Sequence, residues 1–104
     1  MLIQINTDRN IAGGDALARR VESAIKKNLD RFSDHITRVE AHLGDENSQK
    51  GGSADKRCVL EARAAGIKPV AVRHHAPTVA QAVNGALEQL KRALDSTLGR
   101  LKDR

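Results

Sequence analysis

The spacing of apolar side chains changes along the chain and predicts a series of short elements. Ile3 and Ile5 alternate with polar neighbours between positions 2 and 6, which predicts a half-buried first strand. After Gly13-Gly14-Asp15 the spacing becomes three and four residues. This predicts an amphipathic first helix, whose apolar stripe comprises Leu17, Val21, Ala24, Ile25, Leu29 and Phe32.

Three further strands are predicted where apolar side chains alternate with polar ones from His35 onward. Their inward-facing residues are Val39, Ala41 and Leu43 in the second strand, Cys58, Leu60 and Ala62 in the third, and Val70 and Val72 in the fourth. The segment 44–54 is polar and glycine-rich, so it predicts a flexible hairpin loop between the second and third strands. Pro69 has no N–H to donate and should lie at the start or outer edge of the fourth strand.

The last helix begins at a capping-box pattern. Thr78 is followed three residues later by Gln81, a spacing typical of helix N-termini. A continuous apolar stripe then includes Val79, Val83, Ala86, Leu87, Leu90, Leu94 and Leu101.

The predicted order is β-α-β-β-β-α in one α+β domain over residues 1–104. Two amphipathic helices need one apolar sheet face, and a four-stranded sheet supplies it. The other face should be open to solvent. Its predicted residues are Arg38, Glu40, His42, Arg57, Glu61, Arg63 and Arg73.

Charge and composition indicate the class of partner. The chain has 18 Lys and Arg against 13 Asp and Glu, a net charge of +5, which favours a polyanion such as nucleic acid or an anionic membrane surface. It has one Phe and no Trp or Tyr, so the base stacking used by single-strand binders is excluded, whereas recognition of phosphates and shape is not. No signal peptide or apolar run long enough to cross a bilayer is visible, and a cytoplasmic location without membrane contact is expected.

No motif for catalysis or metal binding stands out. His74-His75 beside Cys58 is the nearest to a metal site, but neighbouring strand residues point to opposite faces and cannot easily share one ion. Gly13-Gly14 and Gly51-Gly52 lack the Lys-Ser/Thr that a nucleotide-binding loop requires. The sequence therefore predicts a non-enzyme with no metal, no cofactor and no small-molecule substrate.

Four stretches together resemble the bacterial ribosome hibernation promoting factor and ribosome-associated translation inhibitor family. They are the N-terminal strand with Asp15-Ala16-Leu17, the segment 29–39, the hairpin with Val59-Leu60-Glu61-Ala62, and the last helix from Thr78 to Arg92. The pattern Phe-x-Asp-His-Ile-x-x-Val in segment 29–39 is the most specific of these. The resemblance implies a double-stranded-RNA-binding-like fold and a partner, the small ribosomal subunit and its rRNA. It also implies inhibition of translation by occupying the mRNA and tRNA channel.

Two considerations supply the candidate RNA-binding residues. The resemblance carries over Lys26, Lys27 and Arg31 of the first helix and Arg92 of the second. Helical spacing along the same flanks adds Arg20 and Arg100.

The chain departs from the family pattern in the last helix. Gln89 stands where Lys is usual, and Asp95-Ser96-Thr97-Leu98 replaces a common cluster of Lys and Arg. Fewer cations would weaken phosphate-led binding. The alternative hypothesis is therefore a protein-interaction module of the same fold that no longer binds ribosomes.

Overall fold

The predicted order of elements is confirmed. The structure, a computed structural model, describes residues 1–46 and 55–102. Along the chain the elements are β1 (Leu2–Thr7), α1 (Gly14–Leu29), a 3-10 turn (Asp30–Phe32), β2 (Ile36–Asp45), β3 (Lys56–Ala64), β4 (Val70–Ala76) and α2 (Val79–Lys102).

The four strands form one mixed sheet in the order β1-β2-β3-β4. β1 runs parallel to β2, because the chain between them crosses over through α1, and parallel neighbours require such a crossover. β2, β3 and β4 follow one another as antiparallel neighbours. The sheet therefore begins with a helical crossover and ends with two hairpins.

Both helices pack on the same face of the sheet, as the alternation of apolar residues predicted. α1 contacts β1, and α2 contacts β3 and β4. Ile25, Leu60 and Leu90 have no solvent-exposed surface and lie at the centre of this layer. The remaining core is almost entirely aliphatic and includes Leu17, Val21, Leu29, Phe32, Val39, Leu43, Cys58, Val83, Leu87 and Leu94.

One correction concerns the end of β2. β2 continues through Gly44 and Asp45, which the sequence prediction placed in the loop. Asp45 is only 8% exposed, and its carboxylate accepts a hydrogen bond from Lys56 Nζ at 3.0 Å across the hairpin. This pairing extends the ladder by two residues. Residues 47–54 of the predicted loop lie outside the described residues.

The local signals at the ends of β4 behave as predicted. Gly66 has φ +84° in the turn before the strand, a conformation that favours glycine. Pro69 immediately precedes β4, where no ladder hydrogen bond is lost. At the other end, Thr78 Oγ1 accepts a hydrogen bond from the Gln81 backbone N–H at 3.1 Å and caps α2.

Candidate nucleic-acid interface

The two helices lie side by side and run in the same direction. Near their C-terminal halves, Lys91 Nζ of α2 donates to Asn28 Oδ1 of α1 at 3.2 Å. Near their N-terminal ends, Leu17 and Val21 of α1 line a common cleft with Val79 and Val83 of α2. Because the residue numbers increase in both helices from the cleft to the Lys91–Asn28 contact, the helices are parallel. Their outer faces form one continuous surface.

Arg31 joins the two helical segments by a bidentate ion pair. Its Nη1 and Nη2 atoms lie 2.8 and 2.9 Å from Oδ1 and Oδ2 of Asp95 on α2. The guanidinium also lies over the ring of Phe32, 4.3 Å from the ring centroid. The hydrogen bonds that Arg31 donates to Asp95 raise the pKa of Arg31. Arg31 remains a predicted phosphate contact, but its charge is shared with an acid of its own chain.

Lys26 is also paired, in this case within α1. Its Nζ lies 3.1 Å from Glu22 Oε1, one helical turn earlier. Both side chains are well exposed, so the pair is weak and readily exchanged for water. Lys26 is therefore available to a stronger anion at a small cost.

The remaining exposed cations of this surface have no ion-pair partner among residues 1–46 and 55–102. These cations are Arg19, Arg20 and Lys27 on α1 and Arg92 on α2; Arg92 forms no close ion pair but interacts electrostatically with Glu88, one turn earlier. Arg20 and Lys27 are seven residues apart, about 10 Å along the helix axis. Arg92 follows Lys91, whose contact with Asn28 brings this part of α2 beside Lys27. Unpaired cations thus occur on both helices near the place where they meet.

Arg100 lies near the C-terminal end of α2, away from this group. Its Nη1 donates to Ser96 Oγ at 2.6 Å, and its side chain lines a shallow cavity of about 430 Å³ with Lys68 and Pro69. Arg100 lies eight residues after Arg92 on α2, about 12 Å along the helix axis. Its role in RNA binding stays a prediction.

Gln89, one of the departures from the family pattern, has a packing role that sequence reasoning missed. Its Nε2 lies 3.1 Å from His74 Nδ1 of β4. The His74 ring packs directly against Gly85, where a Cβ atom would overlap the imidazole. Gly85 and Gln89 are one turn apart on the same side of α2. A glycine beside a polar residue there was the available sequence signal that a bulky polar side chain packs against the helix.

The open face of the sheet is largely self-neutralised. Arg38 pairs with Glu40 at 2.9 Å and Arg63 with Glu61 at 3.0 Å, each two residues apart on one strand rather than across strands as the sequence suggested. Glu46 joins two neighbouring strands, because its carboxylate lies 2.9 Å from Arg57 Nη1 and 3.2 Å from His75 Nε2. The hydrogen bonds from His75 and Arg57 lower the pKa of Glu46.

The possible metal residues are divided between the two faces, as predicted. His74 faces α2, whereas His75 contacts Glu46 on the open face. Burial raises the pKa of the Cys58 thiol to about 12, which leaves it protonated and a poor ligand. Within the described part of the chain, no group of three or more His, Cys, Asp or Glu side chains could hold a metal ion.

Neither helix, over the residues that the structure describes, is both long and apolar enough to span a bilayer.

The family model described as Sigma 54 modulation protein / S30EA ribosomal protein matches residues 3–102. The chain belongs to this family. The assignment confirms the resemblance drawn from the sequence and places the chain among ribosome-associated proteins of the hibernation type. This is not a family of enzymes.

The fold is similar to two solved structures. The Thermus thermophilus Protein Y N-terminal domain is 22% identical, with 93% of this chain and 99% of that chain covered and a TM-score of 0.72. A ribosomal subunit interface protein from Coxiella burnetii is 16% identical, with 100% of both chains covered and a TM-score of 0.70. At these identities the likeness shows the shared fold alone. No protein with a curated description matches the chain.

Proposed function

We propose that the protein binds rRNA of the small ribosomal subunit through the outer surface of α1 and α2 and inhibits translation by occupying the mRNA and tRNA channel. The observation that carries this proposal is the group of exposed cations without a close ion pair on two parallel helices, in a chain of a ribosome-associated family. Arg20, Lys27 and Arg92 form the centre of the binding surface. Lys26 and Arg31 belong to the same surface, but Glu22 and Asp95 hold them in the wild type, so neither adds a full phosphate contact.

The chemistry is phosphate contact without base stacking. The surface offers guanidinium and ammonium groups but no aromatic platform, since Phe32 is buried and the chain has no Trp or Tyr. Phosphate contacts position a protein on folded RNA, and shape supplies most of the selectivity. The protein acts in the cytoplasm, where ribosomes are, and catalyses no reaction.

Salt dependence follows from the number of phosphates contacted. With Arg19, Arg20, Lys27 and Arg92 each neutralising one phosphate, the logarithm of the binding constant should fall with the logarithm of salt concentration with a slope of about −3.6. Affinity should therefore fall about a hundredfold between 50 and 200 mM salt.

The deciding experiment is sedimentation with purified small subunits over this salt range. The triple variant Arg20→Ala/Lys27→Ala/Arg92→Ala should bind more weakly, with a slope less steep by about 2.7. Its matched control is Arg9→Ala/Lys68→Ala/Arg73→Ala. That control removes the same charge from exposed residues outside the helical surface. Equal weakening by both triples would show that net charge, not this surface, drives binding.

A cell-free translation assay separates the proposal from its alternative. Wild-type protein should slow synthesis in proportion to subunit occupancy, and the helix triple variant should slow it less. The protein-interaction module is favoured by one observation, the neutralisation of Arg31 by Asp95. A pull-down that returns a protein partner and no ribosomal RNA would support that alternative.

A further inference from the structure

We propose that the cleft between the N-terminal halves of α1 and α2 receives an unstacked nucleobase of the bound RNA. This inference rests on the proposed function and extends it from phosphate contact to base recognition. The cleft has a volume of about 340 Å³. That is within the range of roughly 300–1,000 Å³ that small-ligand sites occupy.

The inner part of the cleft is apolar. Leu17, Val21 and Val83 are buried at its base, with exposed fractions of 8%, 4% and 3%. Ala24 and Val79 form partly exposed walls. The helix backbone beneath these side chains is internally hydrogen-bonded and offers no competing polar group. A flat aromatic ring can therefore lie against the apolar base of the cleft, with its polar edge toward Asn84 and solvent.

The polar side chains that line the cleft suit a nucleotide. Asn84 supplies an amide with both donors and an acceptor, the combination that pairs with the N6 and N7 edge of adenine. Arg20 supplies a guanidinium that can contact a phosphate. Neither side chain has a hydrogen-bond or ion-pair partner within residues 1–46 and 55–102.

Charge favours a nucleotide over an apolar peptide or a second copy of the chain. No acidic side chain lines the cleft, and Arg20 is preceded on α1 by Arg19. A hydrophobic peptide would cover the apolar base but leave Arg20 without an anion. In a nucleotide, the base can cover the apolar floor of the cleft while the phosphate contacts Arg20. Because the chain lacks aromatic platforms, this cleft is also the place where it can bury a base without stacking.

The scarcity of aromatic residues makes a direct spectroscopic test possible. Neither Phe32 nor any histidine lines the cleft, so ring-current shifts of its methyl groups on RNA addition must come from a nucleobase. With hexaadenylate as the probe, the methyl resonances of Leu17, Val21, Val79 and Val83 should move upfield. A hexamer of abasic sugar-phosphate carries the same charge and should leave these resonances unmoved.

A matched pair of variants carries the test to the ribosome. Ala80→Leu should fill the cleft, whereas Ala16→Leu adds the same side chain at an exposed position of α1 that does not line it. Ala80→Leu should lose the hexaadenylate shifts and, because the base loses its apolar contact surface, bind small subunits about tenfold more weakly. Its salt slope should stay unchanged, because no phosphate contact is removed. Ala16→Leu should match wild type in both measurements.

Three results would overturn the inference. The first is equal methyl shifts with the abasic and adenine hexamers. The second is that Ala80→Leu binds small subunits as tightly as wild type does, with the expected salt slope. This result would leave the proposed function intact. The third is concentration-dependent shifts of the same methyl groups without RNA, which would identify a second copy of the chain as the occupant. Loss of subunit binding by the wild type itself would instead refute the proposed function.

Discussion

Asp95→Asn should strengthen binding to the small subunit. In the structure the Asp95 carboxylate holds both terminal nitrogens of Arg31, at 2.8 and 2.9 Å. An RNA phosphate must displace this carboxylate before it can use Arg31 in the same bidentate geometry. The neutral amide of Asn competes only weakly with phosphate for Arg31. The variant should therefore add one phosphate contact to those of the wild type.

The expected size follows from counterion release. One extra phosphate contact steepens the salt slope by about 0.9, so the advantage of Asp95→Asn over wild type should grow about 3.5-fold as salt falls from 200 to 50 mM. Both partners of the ion pair are about half exposed, so its loss should have little effect on folding. A thermal melt of the variant checks that point.

Subunit sedimentation at both salt concentrations measures the effect. Asp34→Asn is the matched control, since it removes one negative charge from an exposed residue outside α1 and α2. The double variant Arg31→Ala/Asp95→Asn should lose the additional affinity. If Asp95→Asn has the salt slope of wild type, Arg31 does not contact RNA and its assignment to the site is wrong.

Four other predictions concern the fold. Gly85→Ala should lower the free energy of unfolding, measured by urea titration, by about 1–2 kcal/mol, because overlap with the His74 ring outweighs the better helix propensity of Ala. The double variant Gly85→Ala/His74→Ala should recover most of this loss. Leu90→Ala, at a side chain with 0% exposure, should cost about 2–5 kcal/mol in the same titration, and a smaller loss would show that the core collapses around the cavity. Cys58 should resist a thiol reagent at pH 8 until denaturant is added, because burial raises its pKa to about 12; rapid labelling of the native protein would contradict this. The folded-state pKa of Glu46 is lowered from 4.5, so its contribution to stability is present above that pH and is lost as pH falls below it; acid titration of Glu46→Gln should show a shallower decline.

Periodic burial was the part of the structure most accessible from sequence. The alternation of Val39, Ala41 and Leu43 correctly assigned the inward face of β2, and the spacing of Leu17, Val21 and Ile25 did the same for α1. These predictions succeed because side-chain direction follows from secondary structure alone. The open sheet face could therefore be named before its strand order was known.

Contacts between distant segments were much less accessible. Arg31 and Asp95 are 64 residues apart, and their pairing depends on how α1 and α2 lie relative to each other. In the sequence, Asp95 is notable only because it replaces a basic residue of the family pattern. The structure shows that its carboxylate is paired with Arg31. The cleft between the helices was also missed, because Arg20 and Asn84 meet only when the helices pack in parallel.

The candidate RNA-binding residues illustrate the same division. Helical spacing placed Arg20 and Lys27 on one flank of α1, but it could not show which basic residues have acidic neighbours. Lys26 has Glu22 one turn earlier, a pairing visible in principle from the sequence. Spacing grouped Arg100 with Arg92 on α2, but it could not show that Arg100 also lies beside the turn that precedes β4.

The pairing of arginines with glutamates on the open sheet face gives the molecule an electrical orientation. The helical side carries an excess of positive charge, whereas most arginines of the open sheet face are paired with glutamates, so the molecule has an electric dipole. A polyanion exerts a torque on this dipole before the two surfaces touch. The protein should therefore turn its helices toward RNA while still diffusing. A larger share of encounters becomes productive, and salt slows association by weakening this alignment.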